Sequence, residues 1–180
     1  VKPTGFREYD ARWWIGAPGA DPAKAPELNL YGVQALGLGL GTLMHELGVR
    51  PAIVTGHDFR SYSLSVKQAL EVGLMQAGIV VHDIGLALSP MAYFAQFDLD
   101  VPSVAMVTAS HNENGWTGVK MGVQRPLTFG PAEMERLRDI VLRGEGEARS
   151  GGGYVRETGV RERYVADVAS GLSQIGRAHV

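Results

Sequence analysis

The chain has no cysteine. Disulfides and thiolate metal sites are therefore excluded, which fits a reducing, cytoplasmic setting. It also lacks any apolar run approaching the roughly 18–20 residues of a membrane span, and no basic-then-apolar signal pattern opens it. Charge of one sign is missing too: 17 basic against 19 acidic side chains leave a net −2, which gives no electrostatic footprint for nucleic acid or an anionic membrane. The five histidines lack the i, i+4 spacing of a zinc helix, and the G-x-S-x-G elbow of serine hydrolases is absent. What remains is ordinary globular composition, with length for one domain and the start of another.

Periodicity supplies the frame. Gly5–Trp14 alternates aromatic and charged residues, predicting a strand with one wet face; Arg7, Tyr9, Asp10 and Arg12 either reach a shared pocket from it or simply face solvent. Ile15–Glu27, rich in proline and glycine, predicts a loop. Asn29 caps a helix to about Leu47, with Val33, Leu36, Leu40, Leu43, Met44 and Leu47 on its apolar face and Gly48 as the stop. Gly37, Gly39 and Gly41 within it lack both a preceding strand and the G-x-G-x-x-G spacing, so they predict close packing on a sheet rather than a nucleotide loop. Pro51–Thr55, Ile79–Val81 (closing on His82-Asp83) and Val104–Val107 read as short buried strands. Between them lie a helix capped by Ser63, with Val66, Leu70 and Leu74 inward and Gly78 as its end, and a short one capped by Ser89 with Pro90 at N1, running through Phe97.

Gly118–Val123 returns as a strand. Gly130-Pro131 opens a helix with Glu133 and Glu135 in its first turn and Arg143 in its last, a charge order that complements the helix dipole, over a stripe of Met134, Leu137, Ile140 and Val141. Strands and helices in this alternation predict a three-layer α/β/α sandwich with a mostly parallel, mixed sheet. Glu145–Gly153 reads as a linker, dividing a domain at 1–145 from the start of a second at 146–180. Val160–Val168 predicts a further helix, and Ser170–Val180 loses periodicity. With no initiator methionine and no closing element, the chain is expected to be a fragment.

The chemistry concentrates where Val104–Val107 gives way to Thr108–Lys120, dense in Ser, Thr, Asn, His and Gly. A stiff strand ending in a flexible polar loop is where α/β proteins place reacting groups. Ser110 is the candidate reacting group, with His111, Asn112 and Lys120 able to bind charge or move protons. Adjacent Ser110 and His111 do not make a catalytic dyad, since neighbours on extended backbone point apart. His45, His57 and His82 read as structural. Phosphoryl chemistry fits best: Ser110 could bear a phosphoryl group, while Lys120 and Arg12 suit its negative charge.

Here the residues resemble a known family. T-A-S-H-N (Thr108–Asn112) followed by G-x-K (Gly118–Lys120) is similar to the active-site serine loop of the α-D-phosphohexomutases, the phosphomannomutase/phosphoglucomutase family. F-R-E-Y-D-A-R (Phe6–Arg12) resembles that family's N-terminal F-R-x-Y-D-I-R-G, and Val54–Ser63 resembles its V-G-x-D-x-R-x-S. Glu113, Thr117, Ala11 and Trp13 depart from the usual proline, asparagine, isoleucine and glycine, leaving substrate preference open.

The resemblance implies an isomerase, an intramolecular phosphotransferase that interconverts hexose 6- and 1-phosphates of mannose or glucose. It would act through a phosphoserine and a hexose 1,6-bisphosphate intermediate. It implies Ser110 as phosphoryl carrier and, through its phosphoryl oxygen, as one ligand of Mg²⁺. Lys120, Arg12 and His111 would be catalytic, and Tyr9, Arg12, His111, Asn112 and Lys120 would contact the hexose phosphate. The family's acidic metal loop, sugar loop and phosphate clamp have no counterpart in this sequence. The missing domains would supply the remaining Mg²⁺ ligands, and this piece alone is expected to be inactive. A non-catalytic sugar-phosphate-binding module of the same fold is the alternative.

Overall fold

The computed structural model describes residues 1–16 and 23–177. A 3₁₀ turn (Pro3–Gly5) precedes β1 (Ala11–Trp14), α1 (Leu30–Glu46), β2 (Ala52–His57), α2 (Ser63–Gln76), β3 (Val80–Leu86) and α3 (Ser89–Asp98). Then come β4 (Ser103–Val107), β5 (Trp116–Gly122), α4 (Pro131–Arg143), β6 (Gly153–Arg156) and α5 (Val160–Arg177). The sheet runs β1-β5-β4-β2-β3-β6. Strands β4, β2, β3 and β6 pair in parallel, while β5 pairs antiparallel with both β4 and the edge strand β1.

Each central strand divides its side chains between two cores, because successive residues point to opposite faces. Ala105 and Val107 of β4 join the cluster under α1, α2 and α4, whereas Val104 and Met106 join the one under α3 and the start of α5. This is the expected α/β/α sandwich with a mixed sheet. No helix among the described residues is long and apolar enough to cross a membrane.

Asn29 caps α1 as its sequence position suggests, its side chain accepting the Gly32 N–H. The glycines of α1 do pack closely, but not on the sheet. A Cβ on Gly37 would lie 2.1 Å from the Leu70 carbonyl oxygen of α2, and one on Gly73 would lie 2.0 Å from that of Gln34. The two helix backbones therefore touch, and only glycine fits at both points. Leu47, expected on the apolar face, is about half exposed.

Other expectations are corrected. β1 begins only at Ala11, because the chain before it turns sharply enough for Phe6 to bridge back to that residue. Ser63 and Ser89 are first residues of their helices, not caps; the caps are Tyr62 and Leu88, neither of which bonds the helix end through its side chain. The Ser63 hydroxyl donates instead to Asp58 Oδ1 at 2.6 Å. Strand β3 runs on through His82-Asp83 to Leu86. α5 extends to Arg177, well past the point where periodicity fades. The predicted loop Ile15–Glu27 lies partly outside the described residues, as do the last residues of the tail.

β6, unassigned from sequence, is tied to β3 by a partly buried polar cluster. Asp83 accepts from Tyr154 Oη at 2.7 Å and Arg156 Nη1 at 2.6 Å, and pairs with the Lys67 ammonium. Lys67 also pairs with Glu71 at 3.0 Å, and Glu71 accepts from Thr55 Oγ1 at 2.6 Å. Beyond it, Phe94 of α3 and Tyr164 of α5 meet edge to face, 5.6 Å between centroids.

Candidate active site

Strand β4 delivers the serine loop. After Val107, the Thr108 N–H donates to Gly118 O at 2.9 Å, closing the loop at its base. The Ser110 N–H donates to Thr108 Oγ1 at 2.9 Å, and Asn112 N–H to Ala109 O at 3.1 Å. Ser110 itself is exposed and sits at φ 55°, a left-handed conformation uncommon outside glycine and found at functional turns. That bend defeats the expectation that Ser110 and His111 point apart: Ser110 Oγ lies 3.5 Å from His111 Nδ1.

Arg12 arrives from β1, whose register sets it opposite Gly118 on β5. Its side chain is nearly buried. Nε donates to Asp10 Oδ2 at 2.8 Å, Nη2 lies 2.8 Å from that same oxygen, and Nη1 donates to Ala109 O at 3.1 Å and to Asn112 Oδ1. One guanidinium thus joins the N-terminal motif to the serine loop. On the other side Arg12 lines a depression of about 200 Å³ with Tyr9, Asp10, Tyr93, Lys120 and Thr128. Tyr9, Arg12 and Lys120 therefore share one concavity. Asn112 is bound to its wall through Arg12, and Ser110 and His111 stand on the adjoining loop tip.

Tyr93 and Thr128 were not anticipated. Tyr93 reads in the sequence as one more residue of an apolar helix. Burial, and then the Asp10 charge, raise its phenol, so it stays neutral near pH 7. Arg60 and Tyr62, within the Val54–Ser63 stretch, hold the serine loop. Arg60 donates to carbonyl oxygens of Glu113 (2.8 Å), Asn112 (2.5 Å) and Ser110 (3.3 Å). Tyr62 Oη accepts the Gly115 N–H at 2.9 Å and donates to Trp116 O at 2.9 Å.

His45, His57 and His82 each have a partner: Ala77 O at 2.8 Å, Asp58 O at 2.8 Å and Glu157 Oε1 at 2.7 Å. For Mg²⁺ the fit is poor. Among the described residues no three His, Cys, Asp or Glu cluster together. Of the carboxylates flanking the loop, Asp10 is engaged by Arg12 and Asp58 by Arg60 and Ser63. Mg²⁺ ordinarily takes carboxylate ligands, so these side chains do not by themselves make its site.

Comparison with known proteins gives a consistent answer. Residues 4–147 match the family model described as phosphoglucomutase/phosphomannomutase, alpha/beta/alpha domain I. The chain is 34% identical over 143 residues to a probable phosphoglucosamine mutase of Pyrococcus abyssi, covering 78% of this chain and 30% of that protein. It is 38% identical over 119 residues to a phosphomannomutase of Vibrio cholerae, covering 66% and 24%. Among solved structures, a phosphoglucomutase/phosphomannomutase family protein from Burkholderia thailandensis superposes with a TM-score of 0.76 at 26% identity, over 92% of this chain and 35% of that one. The chain thus spans a third or less of the curated relatives named here. With the serine loop, the Arg12 strand and the sandwich all in place, the chain belongs to the phosphoglucomutase/phosphomannomutase family and carries its domain I.

Proposed function

We propose that this chain is the phosphoryl-carrying part of a cytoplasmic phosphohexomutase that interconverts hexose 6-phosphate and hexose 1-phosphate. Mannose, glucose and glucosamine phosphates are the candidate substrates, from the names its family and relatives bear. Ser110 carries the phosphoryl group. A sugar hydroxyl attacks that phosphorus, the P–Oγ bond breaks, and Ser110 is left as the free hydroxyl while a hexose 1,6-bisphosphate forms. The sugar reorients, Ser110 Oγ attacks its other phosphate, and the isomeric monophosphate leaves.

Lys120 is the group suited to exchanging the proton of the attacking hydroxyl, since arginine does not deprotonate. Arg12 stabilises the charge on the transferring group. Tyr9, His111 and Asn112 contact the sugar phosphate. No step is assigned to Mg²⁺, because these residues offer it only the Ser110 phosphoryl oxygen. A single wall of the cleft cannot exclude water from the substrate, so turnover belongs to a longer polypeptide of which this chain is a piece.

The observation that supports this most is the exposure of Ser110 on a fixed left-handed turn, bonded through its loop to Arg12. Ser110→Ala in the longer protein tests it. A mutase loses turnover while still binding hexose phosphate, whereas a binding module of the same fold keeps its function.

A further inference from the structure

We infer that Arg60 is a positioning residue for the serine loop, orienting its peptide groups so that their N–H ends face a phosphoryl group on Ser110. The inference rests on the reading of Ser110 as phosphoryl carrier, but its structural basis is independent of turnover.

Arg60 lies in the turn between β2 and α2, its side chain only 9% exposed. Its fork reaches across the sequence to the carbonyls of Ser110, Asn112 and Glu113. In a trans peptide the C=O and the following N–H point in opposite directions. Gathering these carbonyls on one buried guanidinium therefore turns the N–H groups of His111, Glu113 and Asn114 toward the exposed side, where Ser110 stands. Successive N–H groups on one side of a turn make a concavity suited to an anion. Without Arg60 the carbonyl dipoles would be free to rotate toward the phosphoryl oxygens and repel them.

The brace is anchored on the strand that carries the serine. The Asp58 N–H donates to Val107 O at 3.0 Å, at the end of β4. Asp58 Oδ1 accepts from the Arg60 N–H at 3.2 Å and from Ser63 Oγ at 2.6 Å, and Oδ2 lies 3.4 Å from Arg60 Nε. Guanidinium and loop thus hang from the same strand end. A planar fork meets several fixed acceptors in a way that a lysine ammonium on a flexible stem does not.

The test compares Arg60→Met and Arg60→Lys with the parent sequence by two readouts. In this chain, amide hydrogen exchange across residues 110–116 is expected to quicken about tenfold or more in Arg60→Met while β4 and α1 amides hold their rates, a local opening. In the longer mutase, kcat is expected to fall about 100-fold, the scale of a misplacement of about 1 Å, with KM little changed. Arg60→Lys should recover only part of both. Unchanged loop exchange would overturn the inference. So would a loss carried wholly by KM, which would make Arg60 a substrate contact, or full recovery in Arg60→Lys, which would make it only a charge. Should Arg60→Met not fold, Arg60→Lys decides, and parent-like loop exchange and kcat in it would refute the proposal. Absence of turnover in the unsubstituted protein would instead sink the mutase reading and leave the loop-exchange result standing.

Discussion

Arg12 Nη1 donates to the carbonyl oxygen of Ala109 at 3.1 Å, joining the first strand of the sheet to the residue just before the candidate nucleophile. The same guanidinium holds Asp10 with two nitrogens, a forked contact that lysine cannot reproduce. Arg12→Lys is therefore expected to keep the charge and lose the geometry. Turnover of the longer protein should fall at least about 10-fold, and thermal unfolding of this chain should show a loss of about 1–2 kcal/mol, the scale of hydrogen bonds to charged groups. An assay and a melting curve on one preparation check both.

The contact between α1 and α2 sets a second expectation. Gly37→Ala would drive a methyl into the Leu70 carbonyl and should destabilise by about 1–3 kcal/mol, the usual cost of overpacking. Gly171→Ala on α5, where nothing lies within 4 Å, should instead stabilise by up to about 1 kcal/mol through helix propensity. Opposite shifts in denaturant midpoint are the result to look for.

Asp83 predicts a pH dependence. Burial pushes its carboxyl up, but hydrogen bonds from Lys67, Tyr154 and the Gly85 N–H, with the Lys67 charge, outweigh burial and hold it at about 2. Its folded value lies below the ordinary 3.8, so its stabilisation is complete above that value and is lost as pH falls through about 2. Glu71 runs the other way: burial raises its carboxyl, so its contribution is lost as pH rises through its folded value. Asp83→Asn should cost about 3 kcal/mol near neutrality, since it strips a buried ammonium of a partner. Denaturant titrations should show that gap narrowing between about pH 4 and pH 2.

Thr117 buries its hydroxyl without a hydrogen-bond partner among the described residues. Thr117→Val removes an unsatisfied polar atom at nearly constant shape, and a gain of about 1 kcal/mol in unfolding free energy is expected.

Much of this frame could be read from the residues because local rules and tertiary needs agreed. Asn29 caps a helix in the structure, its side chain accepting the Gly32 N–H just as its place before the apolar run suggests. Ser63 does not act as a cap: Asp58, five residues earlier, takes its hydroxyl. The serine loop announced itself through its density of polar residues after an apolar strand. Arg60 did not, since its role exists only once β2 and β4 lie side by side and bring residues 50 apart into contact. β6 escaped notice because its residues form no apolar run. It is held by Tyr154 and Arg156 reaching a carboxylate two strand positions from where β3 was expected to end.

Whether Ser110 holds and surrenders a phosphoryl group is decided by peptide mass mapping of the longer protein, purified without phosphatase exposure and then incubated with hexose monophosphate. Phosphate is expected on the peptide bearing Ser110 before incubation, with its transfer to sugar afterwards. Reproducible absence of phosphate on that side chain, or phosphate there that no sugar removes, would contradict the carrier role.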